Sequence, residues 1–135
     1  MTLCDASVLI ALINADDENH NRCVNALSVL PAPLITTWSC FTEAMHLLGR
    51  YSGWSAQQEL WNYVANKILV LYLPDDAEQT QMQALMEQYQ DVPMDLADAS
   101  LVTAAEALNR KQIFTLDRDF YIYRLPGNQS FDVIP

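Results

Sequence analysis

The chain opens with Met1-Thr2-Leu3-Cys4-Asp5-Ala6-Ser7-Val8-Leu9-Ile10, in which a single acid separates two apolar runs. The first run has the character of a short strand that ends at Asp5. The second run, from Val8 to Ile13, is apolar throughout and favours the start of a short helix. A carboxylate between two such runs is costly to bury unless it is paired or binds a cation. We therefore take Asp5 as a candidate metal ligand and look for acids that join it.

Short apolar runs alternate with longer helical stretches along the rest of the chain. Further strands are predicted at residues 34–37, 68–73 and 112–116, and an edge strand at 131–134. Helices are predicted from about 17 to 30, 38 to 51, 55 to 66, 76 to 90 and 95 to 109, with Ser55 and several aspartates as caps. This alternation predicts an α/β fold with a central, mainly parallel sheet. The 135 residues suit one domain that spans residues 1–135.

Three other acids lie beside apolar segments as Asp5 does, namely Glu43, Asp98 and Asp117. In sheets of parallel strands, ligands collect at the carboxyl ends of the strands. Asp5 and Asp117 each follow a predicted strand, so both are expected at that edge of the sheet. Glu43 belongs to the helix after the second strand, and Asp98 to the first turn of the helix before the fourth. We expect these four carboxylates to converge.

Each of these acids also has a purely structural interpretation, which the sequence leaves open. Asp5 is suited to cap a turn through Ser7, and Glu43 to be an exposed helix acid. Asp98 fits the positive end of a helix dipole, and Asp117 fits a turn after a strand.

Two further acids are alternative ligands, and two hydroxyls are suited to orient the carboxylates. Asp95 precedes Asp98 by three residues and shares a helix face with it. Asp119 follows Asp117 by two residues and is an alternative to it as a ligand. Ser7 and Thr115 carry the hydroxyl groups that are suited to hold their acidic neighbours.

Carboxylates without accompanying histidine or cysteine form a hard oxygen site, which favours Mg²⁺ or Mn²⁺ over zinc. Such an ion makes water easier to deprotonate and stabilises charge on a phosphoryl oxygen. Metal-dependent phosphodiester hydrolysis is therefore the predicted chemistry. The three glycines form no phosphate-binding loop, no Gly-x-Ser-x-Gly elbow occurs, and Asp5-Ala6-Ser7 lacks the second acid of an Asp-x-Asp phosphotransfer motif.

The charge balance is strongly acidic, with 17 acids, 7 bases and a net charge of −10. This counts against simple electrostatic binding of nucleic acid, which depends on contacts to phosphates, and counts less against a metal nuclease. Four of the bases lie within fifteen residues: Arg110, Lys111, Arg118 and Arg124. They are either a solvated helix end and loop or a phosphate-facing patch.

The three cysteines, Cys4, Cys23 and Cys40, match no zinc or redox spacing and lie in apolar contexts. We expect buried free thiols and hence a reducing, cytoplasmic location. The N-terminus shows no signal-peptide pattern, and no apolar run approaches the roughly 18 residues of a membrane span. No membrane partner is expected.

Four segments carry a resemblance to a known family: Leu3 to Ile10, Thr42-Glu43-Ala44, Leu96 to Val102 and Phe114 to Phe120. In order and spacing, over nearly the whole chain, they resemble the PIN-domain family, especially the toxin ribonucleases of VapBC toxin–antitoxin systems. The resemblance implies a three-layer α/β/α fold with a five-stranded, mainly parallel sheet, and cleavage of RNA that depends on Mg²⁺ or Mn²⁺.

The resemblance also implies the roles of the acids. Asp5 and Asp98 would be the chief metal ligands, and Glu43 and Asp117 would complete the acidic pocket.

The resemblance further implies partners beyond an RNA substrate. Family members are often homodimers, and a small antitoxin protein often inhibits them by inserting a basic side chain into the acidic pocket. Trp54, Leu60 and Trp61 are either an exposed apolar patch for such a partner or part of the core. Because the chain is acidic, the alternative hypothesis is a PIN-like binding or interaction module with weak or no catalysis. A third is a nuclease that acts on DNA.

Overall fold

Seven short strands and six helices make up the computed structural model, which describes residues 1–135. The strands are β1 (Thr2–Cys4), β2 (Leu34–Thr37), β3 (Leu69–Tyr72), β4 (Gln112–Phe114), β5 (Arg124–Leu125), β6 (Gln129–Ser130) and β7 (Asp132–Ile134). The helices are α1 (Ala6–Ile13), α2 (His20–Leu27), α3 (Trp38–Ser52), α4 (Trp54–Ala65), α5 (Asp76–Gln88) and α6 (Leu96–Ala107). No helix is long and apolar enough to cross a membrane.

Five of the strands form one sheet in the order β3-β2-β1-β4-β7, and every neighbouring pair is parallel. The central strand is β1, in which Leu3 pairs with Ile35 on one side and with Ile113 on the other. Because the strands are parallel, all five carboxyl ends lie at the same edge of the sheet. The predicted α/β/α fold with a five-stranded parallel sheet is confirmed.

The core extends over the sheet and into the helices that cover it. Leu3, Cys4 and Ile113 are fully buried on the central strands. Helix α6 is buried along nine consecutive residues, Ala97 to Ala105, and packs against α3, α5 and β2. Its alanine, serine and threonine side chains are small, so neighbouring elements approach α6 closely on several sides. Its first turn is therefore held firmly next to the edge at which the strands end.

The structure corrects two of the predicted helix starts. Helix α2 begins at His20 rather than near Asp17, because Asp17 forms a turn in which its side chain accepts a hydrogen bond from the backbone of Asn19 at 2.8 Å. Ser55 does not cap α4. Gly53 occupies that position with a φ of +77°, which permits α4 to follow α3 without a longer loop.

A small antiparallel pair, β5 with β6, was not predicted from the sequence. It follows a 3₁₀ turn at Arg118–Tyr121 and brings the chain back towards α6. The turn and this pair together bury Phe120 and Tyr123, whose rings contact each other edge to face at 5.1 Å.

Candidate metal centre at the carboxyl edge of the sheet

Five acids line one cavity at the carboxyl edge of the sheet, with a volume of about 250 Å³. They are Asp5, Glu43, Asp95, Asp98 and Asp117. The four acids singled out in the sequence therefore meet in one place, together with the alternative ligand Asp95. Their roles as ligands stay predictions.

Asp5 lies directly after β1 and is only 6% exposed. Its backbone N–H donates to the carbonyl of Phe114, which fixes the chain where β1 leaves the sheet. Although Asp5 occupies the N-cap position of α1, its side chain makes no capping hydrogen bond. Instead its Oδ2 accepts hydrogen bonds from Thr115 at 2.7 Å and from Ser7 at 3.2 Å. The carboxylate is thus held by hydroxyl groups. The contact with Ser7 that the turn interpretation expected is present, but the Asp5 side chain does not cap α1.

The two hydroxyl groups also tie the neighbouring strand ends together. Thr115 Oγ1 accepts a hydrogen bond from the backbone N–H of Asp117 at 2.9 Å. Ser7 Oγ accepts one from the backbone N–H of Leu116 at 3.1 Å. Thr115 therefore orients both Asp5 and Asp117.

Asp98 lies in the first turn of α6 and is 6% exposed. Asp95 caps this helix, and its Oδ1 accepts a hydrogen bond from the backbone N–H of Asp98 at 2.8 Å. The hydroxyl of Tyr123, a fully buried residue, donates to Asp98 Oδ2 at 2.7 Å. Tyr123 was missed in the sequence because only the 3₁₀ turn and the β5–β6 pair bring it to α6.

Asp119 joins the acids as well. Asp98, Asp117 and Asp119 each offer a carboxylate oxygen, and these three oxygens lie within 4.8 Å of one another. Asp117 Oδ1 also accepts a hydrogen bond from the backbone N–H of Asp119 at 2.9 Å, which caps the 3₁₀ turn. The sequence suggested Asp119 as a substitute for Asp117, whereas the structure brings both to the site.

Burial and mutual repulsion raise the pKa of several acids at the site. Burial, followed by the charges of Asp95, Asp117 and Asp5, raises the pKa of Asp98 to about 7, although the Tyr123 hydrogen bond opposes the shift. Burial is also the main reason that the pKa of Asp5 is raised, and Thr115 opposes that shift. The pKa of Glu43, which is exposed on α3, is raised by partial burial and by Asp5.

No lysine or arginine of the chain forms an ion pair with these acids. The ion pair of the structure joins Lys111 to Asp132 at 3.7 Å, two residues that lie where β4 and β7 begin, away from the acidic edge. Like charges gathered without a partner are unfavourable unless a cation binds between them. The all-oxygen donor set and its unbalanced charge fit Mg²⁺ or Mn²⁺.

The four bases that are close in sequence do not form one patch. Arg110 and Lys111 precede β4 and so lie at the amino edge of the sheet, while Arg118 follows β4 at the carboxyl edge. The guanidinium of Arg124 donates to three backbone carbonyls, at residues 121 to 123. The interpretation of all four as one phosphate-facing patch is therefore wrong.

The chain matches known proteins over almost its whole length. The family model described as PIN domain matches residues 2–125. Ribonuclease VapC26 of Mycobacterium tuberculosis is 27% identical to the chain over 134 residues, which cover 98% of the chain and 99% of that relative.

Two solved structures share the fold. The crystal structure of Mycobacterium tuberculosis VapC20, described as a sarcin-ricin loop cleaving toxin, matches with a TM-score of 0.87 at 18% identity, and the match covers 100% of both chains. A toxin–antitoxin complex from Klebsiella pneumoniae matches with a TM-score of 0.69 at 19% identity, covering 100% of this chain and 97% of that one. At these identities the likeness concerns the fold alone.

Proposed function

The chain belongs to the PIN domain family, and from this premise we propose that it is a metal-dependent endoribonuclease, the toxin of a toxin–antitoxin pair. The observation that carries the proposal is the acidic pocket, in which Asp5, Asp98 and Asp117 are positioned by hydrogen bonds and form no ion pair with any base of the chain. The ribonuclease relative, which spans nearly the whole chain, supports RNA as the substrate.

The residues of the pocket divide into ligands and the groups that orient them. We assign Asp5, Asp98 and Asp117 as ligands of Mg²⁺ or Mn²⁺, with Glu43 and Asp119 completing the acidic pocket. A divalent cation supplies a Lewis acid for the phosphoryl oxygens and makes water a better nucleophile near neutral pH.

The orienting groups act before any substrate arrives. Thr115 and Ser7 fix Asp5 by donating to the same oxygen, and Tyr123 fixes Asp98 from the protein interior. Such hydrogen bonds hold ligand oxygens in place so that little reorganisation is needed when a cation binds. The pocket is open on the side of Glu43 and Asp95, which are both exposed, and the phosphodiester is expected to approach from there.

Cleavage of purified RNA in the presence of Mg²⁺ or Mn²⁺, and its loss in EDTA, tests the proposal. Asp5→Asn and Asp98→Asn are expected to abolish cleavage, because each removes a charged ligand while keeping the shape of the side chain. Asp91→Asn is the matched control, since it removes the same charge from an exposed position after α5. Equal cleavage by the wild type and by both site variants would overturn the assignment.

The same assay separates the competing hypotheses. An interaction module without catalysis would cut neither RNA nor DNA, and Mn²⁺ would not raise its melting temperature. A nuclease that acts on DNA would cut single-stranded DNA faster than RNA of the same sequence.

We also propose an antitoxin partner and a homodimer. The toxin–antitoxin complex among the structural neighbours supports the first. A row of aromatic residues supports a protein contact: Trp38 and Trp61 are each 43% exposed and both contact Phe41 edge to face, at 5.7 and 5.0 Å. Of the three residues for which the sequence left a patch or the core open, Trp54 and Trp61 are exposed, whereas Leu60 is fully buried and belongs to the core. Sedimentation equilibrium tests the dimer, and copurification with the product of a short adjacent reading frame tests the antitoxin.

The three cysteines are consistent with action in the cytoplasm. Cys4, Cys23 and Cys40 are all buried free thiols, as the sequence predicted. Such thiols persist in a reducing compartment.

A further inference from the structure

A second cavity, of about 370 Å³, lies beside the acidic pocket. Leu116 and Asp117 line both cavities, so the two are neighbours along the carboxyl edge. The other side of the second cavity is formed by Pro135, which follows the edge strand β7, and by Arg22 and Arg118. The second cavity therefore adjoins the acidic pocket and carries two arginines beside the shared Asp117.

Neither arginine of this cavity is paired with an aspartate or glutamate side chain. Arg22 makes one side-chain hydrogen bond, from Nη2 to the carbonyl of Pro135 at 3.2 Å, and Arg118 makes none. Both side chains are exposed. The chain has a net charge of −10 and only seven bases, and two of those bases line this one cavity. Guanidinium groups bind phosphate oxygens through paired hydrogen bonds.

An aromatic ring completes the cavity. Tyr121 lines it and is 58% exposed. The backbone of Tyr121 is fixed, because the guanidinium of Arg124 donates to its carbonyl at 2.7 Å and to those of the next two residues. An exposed aromatic side chain on a fixed backbone is a platform on which an unpaired base can stack.

We propose that this cavity binds the nucleotide next to the scissile bond of single-stranded RNA. Arg22 and Arg118 bind its phosphate, and Tyr121 stacks against its base. The inference rests on the proposed function, and it adds that substrate binding depends on a local basic site rather than on the overall charge. It also explains how so acidic a protein holds RNA, since the phosphate contacts are concentrated beside the cation site.

Binding without cleavage tests the arginines. A short fluorescent single-stranded RNA is titrated with protein in EDTA, and anisotropy is recorded over a series of salt concentrations. Arg22→Gln and Arg118→Gln are each expected to weaken binding and to reduce the slope of log affinity against log salt by about 0.7, the value for one phosphate contact on a single strand. Arg110→Gln, which removes the same charge at the amino edge, should leave both quantities unchanged.

The stacking contact has its own test. Tyr121→Ala is expected to weaken RNA binding about 5- to 150-fold, the range for loss of one stacked base, and Tyr121→Phe should restore it. Tyr51→Ala removes another exposed tyrosine, on α3, which is 73% exposed, and is the control. In the metal-loaded enzyme, the arginine variants should raise KM more than they lower kcat, because they remove binding that is shared by substrate and transition state.

The possible outcomes separate this inference from the proposed function. If Arg22→Gln and Arg118→Gln bind RNA as well as Arg110→Gln does, while Asp5→Asn still abolishes cleavage, the cavity is not a nucleotide site and the ribonuclease assignment stands. If the wild type binds no RNA, the inference fails whatever the cleavage assay shows. If all acid variants cleave normally but the arginine series behaves as expected, the binding site stands and the metal centre does not. Thermal melting of each variant identifies any that fail to fold.

Discussion

The acidic pocket has two kinds of wall, an inner wall of buried acids and an outer wall of exposed ones. Asp5 and Asp98 are almost completely buried, and hydroxyl groups of other side chains hold each of them in place. Glu43 and Asp95 are exposed, and no side chain donates a hydrogen bond to either carboxylate. The inner acids are therefore placed at a cost to the metal-free fold, whereas the outer acids lie where helices commonly carry them.

The largest expected difference concerns the stability of the metal-free protein. Asp98→Asn removes a buried charge whose pKa is raised to about 7, and asparagine can still accept the hydrogen bond from Tyr123. A shift of one pKa unit corresponds to about 1.4 kcal/mol. We therefore expect Asp98→Asn to raise the free energy of unfolding at pH 8 in EDTA by a few kcal/mol. Glu43→Gln is expected to change it by less than about 0.5 kcal/mol. Urea denaturation measures both, and equal effects would erase the distinction between the two walls.

The pH dependence of the metal-free protein is expected to follow the inner wall. Asp98 titrates near 7 in the folded state but near 3.9 in the unfolded chain, so between these values the folded state binds a proton that the unfolded state has lost. Stability should therefore fall as the pH rises from about 4 to 7 and then level off. The raised pKa values of Asp5 and Glu43 act in the same direction. Melting temperatures in EDTA measure this decline, and Asp98→Asn should flatten it.

The next largest effect concerns the affinity for the metal, which is expected to fall when a hydroxyl group is removed from the inner wall. Tyr123→Phe leaves the ring packed against Phe120 but removes the donor to Asp98 Oδ2. Loss of such an orienting hydrogen bond typically costs about 10- to 100-fold in metal affinity or activity. Titration with Mn²⁺, followed by the rise in melting temperature, measures the loss. Tyr63→Phe on α4 is the control, and an affinity for Mn²⁺ unchanged by Tyr123→Phe would mean that Asp98 needs no such support.

The two walls also differ in how much of them the sequence could predict. The sequence placed four acids at one edge of the sheet, because parallel strands end together. Asp5 and Asp117 each follow a strand, and Glu43 and Asp98 lie in helices adjacent to strands. The hydrogen bonds that define the inner wall were harder to predict. Thr115 lies 110 residues from Asp5, so only the register of β1 with β4 brings them together. Periodicity carries no information on that register.

Periodicity was also an incomplete guide to the strands of the fold. The strand at residues 34–37 was predicted with its observed bounds, because prolines precede it and its residues are buried and rich in β-branched side chains. Strands β5 and β6 have only two residues each, too few to show any alternation of apolar and polar positions. Tyr123 was missed for that reason, since its place beside Asp98 depends on those strands and on the 3₁₀ turn before them.

The smallest expected effect concerns Asp95, at the outer wall, and separates capping from metal binding. Asp95→Ala removes the cap of α6 and should lower the free energy of unfolding by about 1 kcal/mol. Asp95→Asn keeps a capping side chain and should leave stability close to that of the wild type, because asparagine and aspartate cap equally well. Chemical denaturation and Mn²⁺ titration of both variants measure these changes. If Asp95 is only a cap, Asp95→Asn binds Mn²⁺ as the wild type does. If instead it loses affinity as strongly as Asp5→Asn, then Asp95 belongs with the ligands and exposure does not separate the two walls.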